Sequence, residues 1–263
     1  MIFRWLTERR RRTLLAHPFP DAWTRVLEAN VAVYALLDEA TQQRLRALTQ
    51  VFVAEKEWEG CGGLELDDEI RVTIAGSACQ MLLGRDHDLF KRARSILVYP
   101  SSVWKTARPR SFFDPRAELP EDPVAVQGYA QQHGPVVLAW DSALRGARDP
   151  DDGRNLVIHE FAHQIDFLDG ASDGTPPLPD FAARKAWAEA CSRAFLADRK
   201  RAERGKKTVL DSYATKNEAE FFAVASEAFF ERAHKMARDL PAVYAVLVDF
   251  YRQDPDQRAR HSG

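Results

Sequence analysis

The sequence predicts an α+β protein, mostly helical, with a small sheet. Three observations lead there. Most apolar residues recur at helical spacing in segments of ten or more residues. Only two short runs read clearly as strands, 95–99 (Ser-Ile-Leu-Val-Tyr) and 136–140 (Val-Val-Leu-Ala-Trp). That is too few for a regular alternation of strands and helices. The third is scale: 263 residues, 45% of them hydrophobic, suffice for one substantial core.

The elements follow in order. Arg9 to Arg12 form a basic run that reads as a solvated terminal arm, closed by Pro18-Phe19-Pro20. Asp21 is placed to cap a first helix carrying Trp23, Val26 and Leu27. Leu45, Leu48, Val51 and Phe52 mark an amphipathic helix over 38–55. Gly60-Cys61-Gly62-Gly63 breaks the chain. Residues 70–83 are apolar and small, a buried helix stopped by Gly84. The strand at 95–99 ends at Pro100, and residues 108–123, rich in proline, read as a loop or flap. After the second strand and a polar turn at 149–153, a helix is expected over 155–168, with Gly170 as its C-terminal stop. Residues 181–195 are helical, and 199–207 read as an exposed basic turn. A helix over 217–236 and another over 242–251 complete the chain. The expected organisation is a single domain, 1–263: an N-terminal helical annex at 1–90, a core at 91–252 and a polar, frayed tail at 253–263.

Composition excludes several functions. Lys plus Arg is 37 and Asp plus Glu is 39, so the net charge is −2. A dedicated nucleic-acid binder carries a basic excess, so direct nucleic-acid binding is not expected despite the two basic runs. No stretch is apolar enough for a membrane span or an export segment. Cys61, Cys79 and Cys191 are odd in number and scattered, which favours reduced thiols and a cytoplasmic setting.

The chemistry centres on His159-Glu160-Phe161-Ala162-His163. Two histidines four apart stack on one face of a helix and can grip one ion. Glu160 lies one step round and can serve as general base to a water on that ion, the arrangement of a zinc hydrolase. The surrounding Val157, Ile158, Phe161 and Ile165 are apolar, so three buried polar groups need a partner. Catalytic zinc takes three protein ligands. Asp169 stands where a metzincin has its third histidine. Asp166 and His234 are candidates, with Asp166 better suited to orienting a ligand or its loop. On residue type Glu220 is preferred, because Ala223 leaves room for close helix approach; Glu218 and Glu227 are rivals. Glu227, seven residues on, shares its face and suits a place behind the ligands. Asn217 with Glu220 is also a capping-box spacing, which would make Glu220 structural.

The His159–His163 motif, Asp166, Asp169-Gly170 and residues 217–222 together resemble the Mlc titration factor A family of zinc peptidases. The likeness extends over most of the chain, including Trp58-Glu59-Gly60, Ile74-Ala75 and residues 137–141. Tyr213, seven residues before Glu220, also resembles the catalytic domain of anthrax lethal factor. The resemblance implies a zincin-like metallopeptidase fold built on the HExxH helix. It implies Zn2+ held by His159, His163 and Glu220, with Glu160 as base and Tyr213 stabilising the oxyanion. A phenol suits that role, since it donates one hydrogen bond to developing charge. By analogy the strand at 136–140 is an edge strand that lines the cleft and pairs with an extended peptide. The implied activity is aminopeptidase-like, on peptide substrates. The implied partner is a glucose-responsive transcriptional repressor. The alternative is a regulator without enzyme activity that sequesters the repressor, its zinc being mainly structural.

Overall fold

The computed structural model describes residues 2–105, 124–126, 128–130 and 134–261. Eleven α-helices and six strands fall within them. They run α1 (Ile2–Leu15), α2 (Asp21–Asn30), α3 (Glu39–Glu55), β1 (Glu57–Gly60), α4 (Asp68–Cys79), β2 (Ser95–Tyr99), β3 (Val103–Lys105), β4 (Val124–Val126), β5 (Gly128–Ala130), β6 (Val136–Ala139), α5 (Trp140–Arg148), α6 (Leu156–Asp166), α7 (Phe181–Glu203), α8 (Glu218–Glu231), α9 (Ala233–Asp239), α10 (Pro241–Tyr251) and α11 (Pro255–His261). The expected α+β class, mostly helical with a small sheet, is what the chain adopts.

The main sheet has the order β1-β2-β6-β5. β1, β2 and β6 are parallel, with Trp58 opposite Ile96 and Ile96 opposite Val136. β5 adds antiparallel, Tyr129 opposite Val137. The strand at 136–140, expected at the edge, is therefore interior, because β5 occupies its free side. Trp140 leaves that strand to open α5. β3 and β4 form a separate antiparallel pair. The expected flap at 108–123 lies outside the described residues.

Helix starts follow local chemistry. Asp38 accepts from the Thr41 amide at 2.7 Å, Asp67 from Ile70 at 2.9 Å, and Asn155 from Ile158 at 3.1 Å. Each such cap contributes about 1 kcal/mol. Asp21 is itself the first helical residue, after Pro20. The basic arm is helical instead of loose: α1 lies on α3, where Arg11 forks onto Glu55 at 2.7 and 2.6 Å. The basic run at 199–207 is mostly helix too. α7 continues to Glu203 and closes with Gly205 N–H on Ala202 O and Lys206 N–H on Arg201 O, both 2.9 Å. Gly205 takes φ 65° for that closure, a conformation glycine adopts without strain. The helix expected over 217–236 divides at Arg232 into α8 and α9. The segment at 253–263 is helical from Pro255 to His261, with Gln253 and Asp256 buried.

One hydrophobic cluster runs from Leu27 to Tyr251. Phe161 of α6 sits within it, ring centroids 4.6 Å from Phe90 and 5.5 Å from Phe52. Phe222 of α8 packs on Trp187 and Phe250, tying α8 to α7 and α10. α6 and α8 are thus anchored from opposite sides and packed on each other. Among the described residues no helix is long and apolar enough to cross a membrane.

Candidate metal centre

His159 and His163 stand one turn apart on α6, ring centroids 4.9 Å apart. Their shared face meets the first turn of α8. There the Asn217 side chain accepts the Glu220 amide at 2.8 Å. The Glu220 carboxylate completes no capping box; it turns to the histidines instead. Its Oε2 lies 3.1 Å from His159 Nε2 and 3.3 Å from His163 Nε2, and the two ring nitrogens are 3.3 Å apart. The potential ligand atoms of these three residues all lie within 4.8 Å of one another.

The other ring nitrogen of His159 is held from behind. Nδ1 lies 2.7 Å from Glu227 Oε1, and Glu227 Oε2 accepts the Asn155 amide at 2.7 Å. A neutral His159 that donates from Nδ1 presents a lone pair at Nε2. That lone pair, the Glu220 oxygen and His163 Nε2 then converge on one point. Three electron-rich atoms so close need a cation or a shared proton between them. Burial opposes charge on His159, but Glu220 and Glu227 outweigh it and hold the imidazole well above its usual range. Burial likewise raises Glu220, but the two histidines hold its carboxyl well below the usual range. A divalent ion fits this donor set of two imidazoles and a carboxylate, with a coordination position left open.

Glu160 is 4% exposed. It lies against β5: a Cβ on Gly128 would collide with its carboxylate and with Leu156. Tyr213 is 41% exposed, on a 3-10 turn (Ser212–Thr215), its ring centroid 5.9 Å from that of His159. Asp211 fixes the turn, accepting the Tyr213 amide at 2.9 Å and pairing with Arg154 at 2.6 Å. Lys216 Nζ sits 3.6 Å from the centre of the Tyr213 ring.

The remaining candidate ligands stay apart from the cluster. Glu218 is exposed at the start of α8. His234 faces Asp256 at 3.1 Å. Asp166 is fully buried; burial pushes its carboxyl up to about 6, and it faces the amide of Gly174 in the loop after α6. Glu227 stands behind His159, as its seven-residue spacing from Glu220 suggests.

Two contributors escape a reading of the sequence. Asn155 caps α6, donates its own amide to Glu227 and its side-chain amide to Glu231 at 2.9 Å. Its position four before His159 was the available signal. Gly128 makes room for Glu160 through a strand pairing that no local pattern marks.

The family described as glucose-regulated metallo-peptidase M90 matches residues 5–252. An uncharacterised protein of Synechocystis sp. is 32% identical over 251 residues, covering 95% of this chain and 90% of that protein. Mlc titration factor A of Edwardsiella ictaluri is 32% identical over 253 residues, covering 94% and 92%. Mlc titration factor A of Salmonella agona is 32% identical over 257 residues, covering 93% and 89%.

Proposed function

The chain belongs to the glucose-regulated metallo-peptidase M90 family, and on that footing we propose that it is a zinc-dependent peptidase with aminopeptidase-like activity on peptide substrates. Membership of a metallopeptidase family implies a metal ion. The observation that carries the reading is the convergence of His159 Nε2, His163 Nε2 and Glu220 Oε2 beside buried Glu160. These three residues would hold the ion, in a zincin-like arrangement on the HExxH helix. Zinc would lower the pKa of a coordinated water from about 15.7 to about 7 and polarise the scissile carbonyl.

The chain supplies the rest. Glu160 takes the proton of the attacking water and passes it to the leaving amine. Tyr213 donates its hydroxyl proton in a hydrogen bond to the oxyanion that develops on the carbonyl. Glu227 keeps His159 in the tautomer that offers Nε2. Among the described residues β5 is the terminal strand of the sheet on the α6 side, and an extended peptide pairs there, with its scissile bond over the histidines. Three free thiols support a reducing, cytoplasmic setting, and we read residues 1–263 as one peptidase domain with its catalytic core at 91–252.

Metal analysis of wild type and Glu220→Ala, run beside a panel of chromogenic amino-acid amides, tests this. Wild type should hold one zinc per chain and cleave amides; Glu220→Ala should lose both. Stoichiometric zinc in Glu220→Ala would remove Glu220 from the ligand set.

The name shared by two relatives favours a second role, compatible with the first: binding a glucose-responsive transcriptional repressor. A complex with such a repressor should survive in Glu160→Gln. If Glu160→Gln and wild type were equally inactive on every peptide while the complex persisted, the non-enzymatic regulator with a structural zinc would be the better reading.

A further inference from the structure

A cleft of about 680 Å³ opens beside the Tyr213 turn, between the end of α7, α9 and the 152–154 turn. Val224 and Met236 contribute to an apolar floor, and the walls are cationic. Five cations line it (Arg154, Lys206, Lys207, Arg232 and Lys235) against three carboxylates, Asp152, Asp211 and Asp239. Each carboxylate is already engaged. Asp211 pairs with Arg154 at 2.6 Å, Asp239 takes Arg238 at 2.7 Å, and Asp152 accepts the Arg154 amide at 2.7 Å. Among the described residues, Lys206, Lys207 and Lys235 have no carboxylate within 4 Å; Asp239, the acid near Lys235, is held by Arg238. Arg232 spends one N–H on the neutral Asp151 carbonyl at 2.7 Å, which leaves its charge uncompensated.

The cations are placed by the backbone. Lys206 and Lys207 directly follow the closure of α7, with Lys206 N–H bonded to Arg201 O. The Arg232 side chain packs on Gly153, where even a Cβ would stand 2.9 Å from its Cδ and Nε. In a chain of net charge −2, such a local excess is a concentrated positive field in a recess. The volume suits a small molecule. Guanidinium and ammonium groups together suit phosphate oxygens, and the four without a carboxylate partner exceed what one carboxylate requires. A bounded recess also differs from the extended basic stripe that tracks a nucleic-acid backbone.

We propose that this cleft binds a small multivalent anion of the phosphate-ester class, held by Arg232, Lys206, Lys207 and Lys235. The site is separate from the metal centre and does not rest on the peptidase reading. The test is isothermal titration of the full chain with inorganic pyrophosphate at fixed ionic strength, for wild type and the exposed pair Lys206→Gln with Lys235→Gln. One saturable site is expected, weakened at least tenfold in the double variant while its thermal unfolding matches wild type. Should the double variant unfold, Lys207→Gln alone should show weakening in the same direction. Absence of saturable binding to wild type, or undiminished affinity in a folded variant, overturns the proposal.

Discussion

Glu227 Oε1 lies 2.7 Å from His159 Nδ1, and the same carboxylate reaches the backbone of Asn155 with its other oxygen. One side chain of α8 therefore sets both the tautomer of a histidine and the position of the helix start that carries it. Glu227→Gln keeps the shape but weakens the acceptor. Metal affinity should fall about 10- to 100-fold, with the fold intact. Competition against a chromogenic zinc chelator measures it; an unchanged affinity would leave Glu227 a packing residue.

Glu160 owes its place to a missing side chain. Gly128→Ala puts a methyl group where the Glu160 carboxylate sits. The colliding atoms are the ends of Glu160 and Leu156, which can shift, so the cost in melting temperature should be a few degrees at most. If Glu160 is the base and the ion is zinc, hydrolysis should fall at least tenfold while zinc content stays at one, because Glu160 is displaced and His159, His163 and Glu220 are not. Activity equal to wild type would mean that Glu160 tolerates the shift.

Tyr213→Phe removes a hydroxyl and leaves the ring against His159. If the hydroxyl donates to the oxyanion, kcat should fall by about 10²-fold with KM and zinc content little changed. Matched steady-state kinetics and metal analysis decide it, and a change confined to KM would assign Tyr213 to substrate binding.

Behind Asn155, burial pushes the Glu231 carboxyl up to about 8. Its proton is therefore retained in the folded chain over a range where the unfolded chain, with an ordinary carboxyl, has released it. The folded state binds more protons there, so stability falls as pH rises from about 4.5 to about 8. Glu231→Gln should flatten that fall, gaining roughly 4 kcal/mol relative to wild type at pH 8 and little at pH 4. Urea unfolding at the two pH values reads it directly; an equal gain at both would attribute the effect to packing.

What could be read from the sequence was what local pattern encodes. α6 declares itself by its apolar residues and by Gly170, at φ 101°, beyond its end. The strand at 95–99 shows alternating burial, with Ile96 and Val98 fully inside. The histidine pair and Glu227 were legible because helical spacing turns sequence distance into a shared face. β1 and β5 were not legible. They are three or four residues long and exist through pairing with β2 and β6, partners distant in sequence. The interior place of the strand at 136–140 follows from that same hidden pairing. α1 and the end of α7 were masked by arginine and lysine, whose long side chains serve a helix well but give it no apolar stripe.

The anchoring of α6 has a consequence for how the centre is filled. Phe161 holds the helix from the core side, while Asn155 and Glu227 hold its start and its first histidine from the other. The contacts that place the helix and its first histidine run between protein groups and not through an ion, unlike small metal domains whose folding waits for the ion. Chelation should strip such a protein of its chemistry without unravelling it, and returning the ion should restore that chemistry without a refolding step.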